Sequence, residues 1–337
     1  MLIDLHVHVS ALTPGHGCMS DRLLKSVPFR FMRWRLGVQG SDAATERAIA
    51  ELLARTIDGT EKLDAAVILA FDGVHDKEGR FDEPNTHLYV TNDYAIELCR
   101  ANPKMLFGAS VHPYRKDAVS ELDRCVQAGA VLMKWLPIVQ GMDPSDERCM
   151  PFYEALAHHR LPLLCHTGGE RSLPNLDLSL ADPLLLEPAL KRGVTVIAAH
   201  CGTRSAPGET DFLPQFVRMC HEHEHFYGDT AALNLPTRSY AYEVILKDPV
   251  VRGKLVHGSD WPIISIPPAT QLGLTPAAKL LLGERNWMRR DVLIKEQLGC
   301  DDAYWRRAAE VLRVGPRPPT NSPENGDGRL NSRPVLA

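Results

Sequence analysis

The sequence predicts an α/β fold of the (β/α)8 (TIM) barrel class, and three observations carry that expectation. Eight short apolar runs each end in a polar turn, amphipathic helical stretches lie between them, and chemistry-bearing side chains recur at the ends of several runs. A doubly wound open sheet normally carries a glycine-rich first βα turn, and at that position this chain reads HVHVS.

The eight runs, in order, are LIDLHVHV, AAVILAFDG, MLFGASVHP, AVLMKWLP, LPLLCHTG, VTVIAAHCG, HFYGDTAAL and KLVHGSDWP. Of the helical stretches, DAVSELDRCVQAG ends at Gly129, a helix-stopping glycine ahead of the next strand, and CMPFYEALAHHR is a second clear case. After the eighth run, TPAAKLLLGERNWMRR and DDAYWRRAAEVLR read as two helical stretches completing the outer ring. Residues 1–314 therefore read as a single barrel domain. Residues 315–337, rich in Pro, Asn, Ser, Gly and Asp, read as a disordered C-terminal tail.

The first run poses a physical question. Strict alternation puts Ile3, Leu5, Val7 and Val9 on one face and Asp4, His6 and His8 on the other. In a closed barrel both faces are buried, and unpaired polar groups there would cost several kcal/mol. A metal ion at the strand end answers for the two imidazoles, while Asp4, deeper in the barrel, is expected to hydrogen-bond internally. Catalytic groups of such barrels sit at the C-terminal ends of strands. His6 and His8 end strand 1, Lys134 lies late in strand 4, His166 ends strand 5, His200 strand 6 and Asp260 strand 8.

Composition excludes other classes. With 337 residues and 44% hydrophobic content the chain can bury a large core, and a net charge of -4 with mixed signs throughout argues against a nucleic-acid or membrane partner. No apolar run approaches the roughly 20 residues needed to span a bilayer. The N-terminus lacks a signal-peptide pattern, so a soluble, cytoplasmic protein is expected. The eight cysteines are scattered without CxxC pairs, as reduced, mostly buried thiols would be.

Taken in order, His-x-His, Lys, His, His and Asp at these strand ends resemble the metal-dependent hydrolases of the amidohydrolase superfamily, and most closely its amidohydrolase-2 branch. The matching pieces are DLHVH, GAVLMKW, LPLLCHTG, VIAAHCG and HGSDWP, spread over residues 1 to about 265. His6 stands almost at the first residue, leaving no N-terminal sequence for the β-sandwich that many other members carry. The resemblance implies His6, His8, His166 and Asp260 as metal ligands and His200 as a catalytic histidine beside them. Lys134 is either carboxylated and bridging two metals, or cationic and binding a substrate carboxylate.

Imidazole and carboxylate donors suit a divalent ion such as zinc, with manganese as the alternative, and one ion per chain fits the branch better than two. The implied reaction is attack of a metal-activated water on a C–O or C–N bond of a lactone, ester or amide in a small molecule, anionic ones included. Asp260 would take the water's proton, and His200 would polarise the substrate carbonyl and hold the oxyanion. The same ligand set serves non-oxidative decarboxylases of aromatic or muconate-type acids. A reading of another class is a barrel that binds metal or ligand without turnover.

Other residues are weaker candidates. Residues 23–40 (LLKSVPFRFMRWRLGVQG) interleave Arg30, Arg33 and Arg35 with Phe31 and Trp34. This connection over the barrel mouth reads as a solvated amphipathic helix, with Arg33 as a possible substrate contact and the segment as a candidate homodimer interface. His112, Glu170, Asp229 and Trp261 stand near strand ends where they could contact substrate, a structural hydrogen-bonding role for His112 being the alternative. His221, His223 and His225 read as surface residues at a helix end, and His257, of opposite parity to Asp260, as lying outside the barrel.

Overall fold

A computed structural model describes residues 1–37 and 40–315. Eight parallel strands form one sheet in chain order: β1 (Ile3–His8), β2 (Ala65–Leu69), β3 (Met105–Ala109), β4 (Leu132–Trp135), β5 (Leu163–His166), β6 (Val196–Ala199), β7 (Phe226–Asp229) and β8 (Leu255–Val256). The two edges meet through backbone hydrogen bonds. Leu5 N–H donates to His257 C=O at 3.1 Å, Asp260 N–H to His6 C=O at 2.9 Å and His8 N–H to Trp261 C=O at 2.8 Å. The fold is thus the (β/α)8 barrel expected, with each strand inside the run that predicted it.

The alternation of buried residues separates inside from outside. Leu106, Leu132, Leu164, Ile197 and Val256 fill the interior with Ile3, Leu5 and Val67, against Ala308 and Leu312 of the helix Asp302–Leu312. Met133, Leu163, Cys165, Val196, Ala198 and Leu255 point outward into the helical layer. Several helices begin at side-chain caps, as where Ser41 accepts from Ala44 N–H ahead of Asp42–Asp58. Ala118–Gln127 ends just before Gly129, which takes a left-handed φ of 92°.

Strict alternation fails on β1, and the reason is a bulge. Ile3 and Asp4 pair with Ala65 and Ala66, whereas Val7 and His8 pair with Ile68 and Leu69, so β1 carries one residue more than its neighbour between these pairs. Ile3 and Leu5 therefore face the interior, while Val7 packs outside with Ile49, Leu53 and Ile68. Asp4, expected on the same face as His6, faces the opposite way. Its Oδ1 accepts from Ser259 N–H at 2.9 Å and from His6 N–H at 3.2 Å, beside the charges of Asp291 and Lys295.

Burial pushes the Asp4 carboxyl up to about 7, and the sign of the linked stability change follows. A folded pKa above the unfolded value means that stability declines as pH rises from about 4 to about 7 and stays reduced above that. Asp4→Asn is therefore expected to match the wild type near pH 4 and to be more stable above pH 7, by up to about 4 kcal/mol. Urea unfolding of the metal-free protein across this range is the check; a gain independent of pH would refute it.

After β8 the structure has three helices of ten or more residues where the sequence suggested two: Leu274–Gly283, Trp287–Gln297 and Asp302–Leu312. The break falls at Asn286, whose side chain accepts from Met288 and Arg289 N–H and starts a new helix. The connection after β1 contains the helix Val27–Leu36, which buries Phe29 among Val7, Ile49 and Leu53 and exposes Phe31 and Trp34. Arg33 donates to Gly40 C=O at 3.2 Å; the Arg35 side chain and the tail beyond Gly315 lie outside the described residues. Among the described residues all eight cysteines are free thiols, and no helix is long and apolar enough to cross a membrane.

Candidate metal centre

Six of the eight strand ends contribute to a buried polar cluster at the barrel mouth. From β1, His6 Nε2 lies 3.0 Å from His8 Nε2 and 3.4 Å from Asp260 Oδ1, and His8 Nε2 lies 3.3 Å from the same oxygen. From β4, Lys134 Nζ approaches His6 Nε2 at 3.1 Å. From β5, His166 presents a fully buried Nε2 with no hydrogen-bond partner. The His200 ring, following β6, lies 4.8 Å from that of His166 and 5.1 Å from that of His6, centroid to centroid.

Two local features make this convergence possible. Gly258 sits where a Cβ would come within 2.9 Å of His6 Cβ, so the absence of a side chain there leaves the His6 ring its place. Ala199 faces the barrel interior, so continued strand geometry would send His200 outward. Instead, left-handed backbone at His200 (φ 60°) and Cys201 (φ 53°) turns the imidazole over the mouth. This conformation is uncommon for non-glycine residues and typical of functional sites. Asp260 likewise has a φ of 64°.

The electrostatics suit metal ligation. Burial is the main force lowering the pKa of His6, His166 and His200, aided by the positive charges of Lys134 and Arg238, so all three rings are neutral near pH 7. Burial raises the Asp260 carboxyl, but His6, His8 and Lys134 together outweigh it and hold Asp260 below its ordinary value. Neutral imidazoles and an ionised carboxylate are the forms that bind a divalent cation. His166, its ring 4.8 Å from that of His200, adds a buried Nε2 with no hydrogen-bond partner beside these groups, so the residues present fit such an ion.

Arg238 also belongs to the site, although no sequence pattern singled it out. It lies in the connection after β7, is 4% exposed and spans the neighbouring loops: Nη1 donates to Thr203 O and Oγ1, and Nη2 to Gly169 O. Its Nε is buried without a partner. Among the described residues neither Arg238 nor Lys134 forms an ion pair with a carboxylate, so the mouth holds two N–H donors suited to an anion.

The other candidates fall elsewhere. His112 uses both ring nitrogens on the backbone, Nδ1 accepting from Tyr114 N–H at 3.2 Å and Nε2 donating to Gln140 C=O at 3.1 Å, which is the structural role. Trp261 points outward beside Val7, lining a hollow of about 250 Å³ with Met32, Leu52 and Trp287. Glu170 accepts from Ser172 and Leu173 N–H in its own loop, while its charge reaches Lys134 and Arg238. Asp229 contacts protein on both oxygens: Oδ2 meets His6 Nδ1 at 2.7 Å, and Oδ1 accepts from His200 N–H at 2.8 Å and Ala231 N–H at 3.1 Å. His257 is buried against Tyr304 and Trp305, outside the barrel, and His221 pairs with Asp248 at the surface.

A (β/α)8 barrel whose C-terminal face gathers histidines and an aspartate in this way defines a barrel enzyme with a metal-type centre. The chain belongs to the amidohydrolase family: the Amidohydro_2 model matches residues 3–282. Three solved structures illustrate the likeness of fold. One is described as a probable 2-pyrone-4,6-dicarboxylic acid hydrolase from Acinetobacter baumannii (14% identity, 93% of this chain and 99% of that one, TM-score 0.56). Another is 2,6-dihydroxybenzoate decarboxylase from Rhizobium (14%, 93% and 98%, 0.54). The third is a dihydroxybenzoic acid decarboxylase from Polaromonas sp. JS666 with bound manganese and the inhibitor 2-nitroresorcinol (15%, 93% and 97%, 0.52). No curated protein matches the sequence significantly.

Proposed function

We propose that residues 1–314 form one catalytic domain that uses a single divalent ion, zinc or manganese, to hydrolyse a C–O or C–N bond in a small anionic molecule. The observation that carries the reading is the approach of His6 Nε2, His8 Nε2 and Asp260 Oδ1 to within 3.4 Å of one another, beside the orphaned His166 Nε2. These four residues would hold the ion. When bound, it would polarise the substrate and make water a nucleophile at neutral pH.

The protein's own groups do the rest. Asp260, held ionised, accepts the proton of the attacking water. His200 Nδ1 must donate to Ala231 C=O, 2.9 Å away, because a carbonyl can only accept. In the neutral ring Nε2 then carries a lone pair, so His200 does not polarise the carbonyl at the outset; it donates to the oxyanion after accepting the proton that Asp260 has taken from the water, and that proton passes on to the leaving oxygen or nitrogen. Lys134 Nζ and Arg238 Nε supply the donors for a substrate carboxylate. That pair also suits the second reading, decarboxylation of an aromatic acid, which shares every ligand. A cytoplasmic location goes with a small-molecule substrate.

Chelation should abolish activity and added zinc or manganese should restore it, with His166→Ala losing the ion on dialysis while keeping its circular dichroism. Elemental analysis with parallel assays on lactones, esters and aromatic acids decides the matter. Carbon dioxide release without hydrolysis would transfer the proposal to the decarboxylase, and full metal retention by His166→Ala would break the ligand assignment.

A further inference from the structure

Asp229, at the end of β7, is wholly buried, yet neither Lys134 nor Arg238 pairs with it; its two oxygens are spent on three other groups. Oδ2 lies 2.7 Å from His6 Nδ1, while Oδ1 accepts from the backbone N–H of His200 at 2.8 Å and of Ala231 at 3.1 Å. Together these contacts bind one carboxylate to a side chain of β1, to the left-handed turn after β6 and to its own strand end. We propose that Asp229 is the positioning residue of the centre: it fixes the proton of His6 on Nδ1 and holds the turn that swings His200 over the mouth.

The argument is one of hydrogen-bond direction. Burial raises the Asp229 carboxyl, but the N–H groups of His200 and Ala231 and the Lys134 charge favour its ionised form, which can only accept, so a 2.7 Å contact with a neutral imidazole places the ring's single proton on Nδ1. The lone pair is then on Nε2, the atom that faces His8, Asp260 and Lys134. Without Asp229, the proton would be free to move to Nε2 and block that donor. A partner on the far nitrogen of a ligating histidine sets both tautomer and orientation, and its loss typically costs 10–100-fold in metal affinity. His6, His200 and Asp229 also lie close enough to resemble a second metal cluster. The hydrogen bonds already made by Asp229 identify that group as support for the first.

At His200 the same carboxylate acts on the backbone. Continued strand geometry would point this ring away from the mouth, and φ 60° is a conformation that non-glycine residues adopt at a cost. The hydrogen bond from His200 N–H to Asp229 Oδ1 offsets that cost, and the one from Nδ1 to Ala231 C=O then sets the ring plane. The neighbouring Gly258, whose Cβ position would lie 3.7 Å from Asp229 Cβ and 2.9 Å from His6 Cβ, leaves the pair room to meet.

Only the metal-affinity arm of the test rests on the metal reading. In full-length, metal-free wild type, long-range ¹⁵N–¹H correlation spectra should show His6 protonated on Nδ1, the signal being assigned by its loss in His6→Gln. In Asp229→Asn, whose amide can turn N–H towards the ring, the proton should shift to Nε2. Titration with Mn²⁺ should then show 10–100-fold weaker binding with an unchanged melting temperature. Finding His6 protonated on Nε2 in the wild type overturns the proposal, even if the variant fails to fold. So does an Asp229→Asn protein with wild-type tautomer and Mn²⁺ affinity. Should the wild type bind no metal, the metal reading fails, while the tautomer still decides the role of Asp229.

Discussion

Asp260→Asn is expected to lower turnover by about 10²–10⁴-fold while leaving the barrel folded. The substitution is nearly isosteric, and asparagine is among the residues that best tolerate the left-handed φ of 64° found here. The backbone bond from residue 260 N–H to His6 C=O, which helps close the barrel, is retained because it involves no side chain. What is lost is the negative charge: the amide binds a cation more weakly and cannot take a proton from water at neutral pH. Metal affinity should therefore fall too, and turnover must be measured per metal-loaded site, at saturating metal, to separate the two effects. Wild-type turnover at full loading would remove Asp260 from proton transfer; an unchanged metal affinity would remove it from the ligand set.

The barrel was legible because its strands are buried on both faces and so stand out as near-continuous apolar runs. The donors were legible because each polar residue closing such a run needs a partner. Side-chain direction within a run was less accessible. Alternation from Ile3 to Val9 treats β1 as regular, and nothing in the letters IDLHVH marks the extra residue that puts Leu5 and His6 on the same side and turns Asp4 away. Trp261 and His112 show the same limit, since a one-residue change of direction separates the mouth from the helical layer. Arg238 escaped notice because NLPTRSY has no periodicity to exploit. Its importance comes from lying between the β5 and β6 loops, a long-range fact.

Glu170 and Asp229 differ from each other for a physical reason. Both follow strand ends, so position alone ranks them equally. Glu170 bonds to its own loop at Ser172 and Leu173, whereas Asp229 reaches across the mouth to β1. Carboxylates joined to their own turn shape that turn, while a carboxylate joined to another strand's histidine shapes the site. The distinction appears only when partners are known.

The largest expected stability loss lies behind the site, in Lys295→Met. Lys295 and Asp291, one turn apart on the helix Trp287–Gln297, form a buried ion pair at 2.5 Å, and Lys295 Nζ also donates to Gly258 C=O, just after β8, at 2.7 Å. Removing the ammonium leaves Asp291 buried with a neutral partner, Asn234, at 2.7 Å, and breaking such a pair costs about 3–5 kcal/mol. The cost should depend on pH. Burial already raises the Asp291 carboxyl to about 6 despite Lys295, and without Lys295 it rises further. A folded pKa above the unfolded value removes stability as pH increases through the interval between them. The variant's deficit should therefore be small near pH 4, where Asp291 is protonated, and full at pH 8. Because Gly258 precedes the loop bearing Asp260, metal affinity should weaken as well. Urea unfolding of metal-free wild type and variant at the two pH values measures the effect. Equal losses at both would mean that Lys295 contributes through packing and its bond to Gly258, and that the charge of Asp291 is not what its removal exposes.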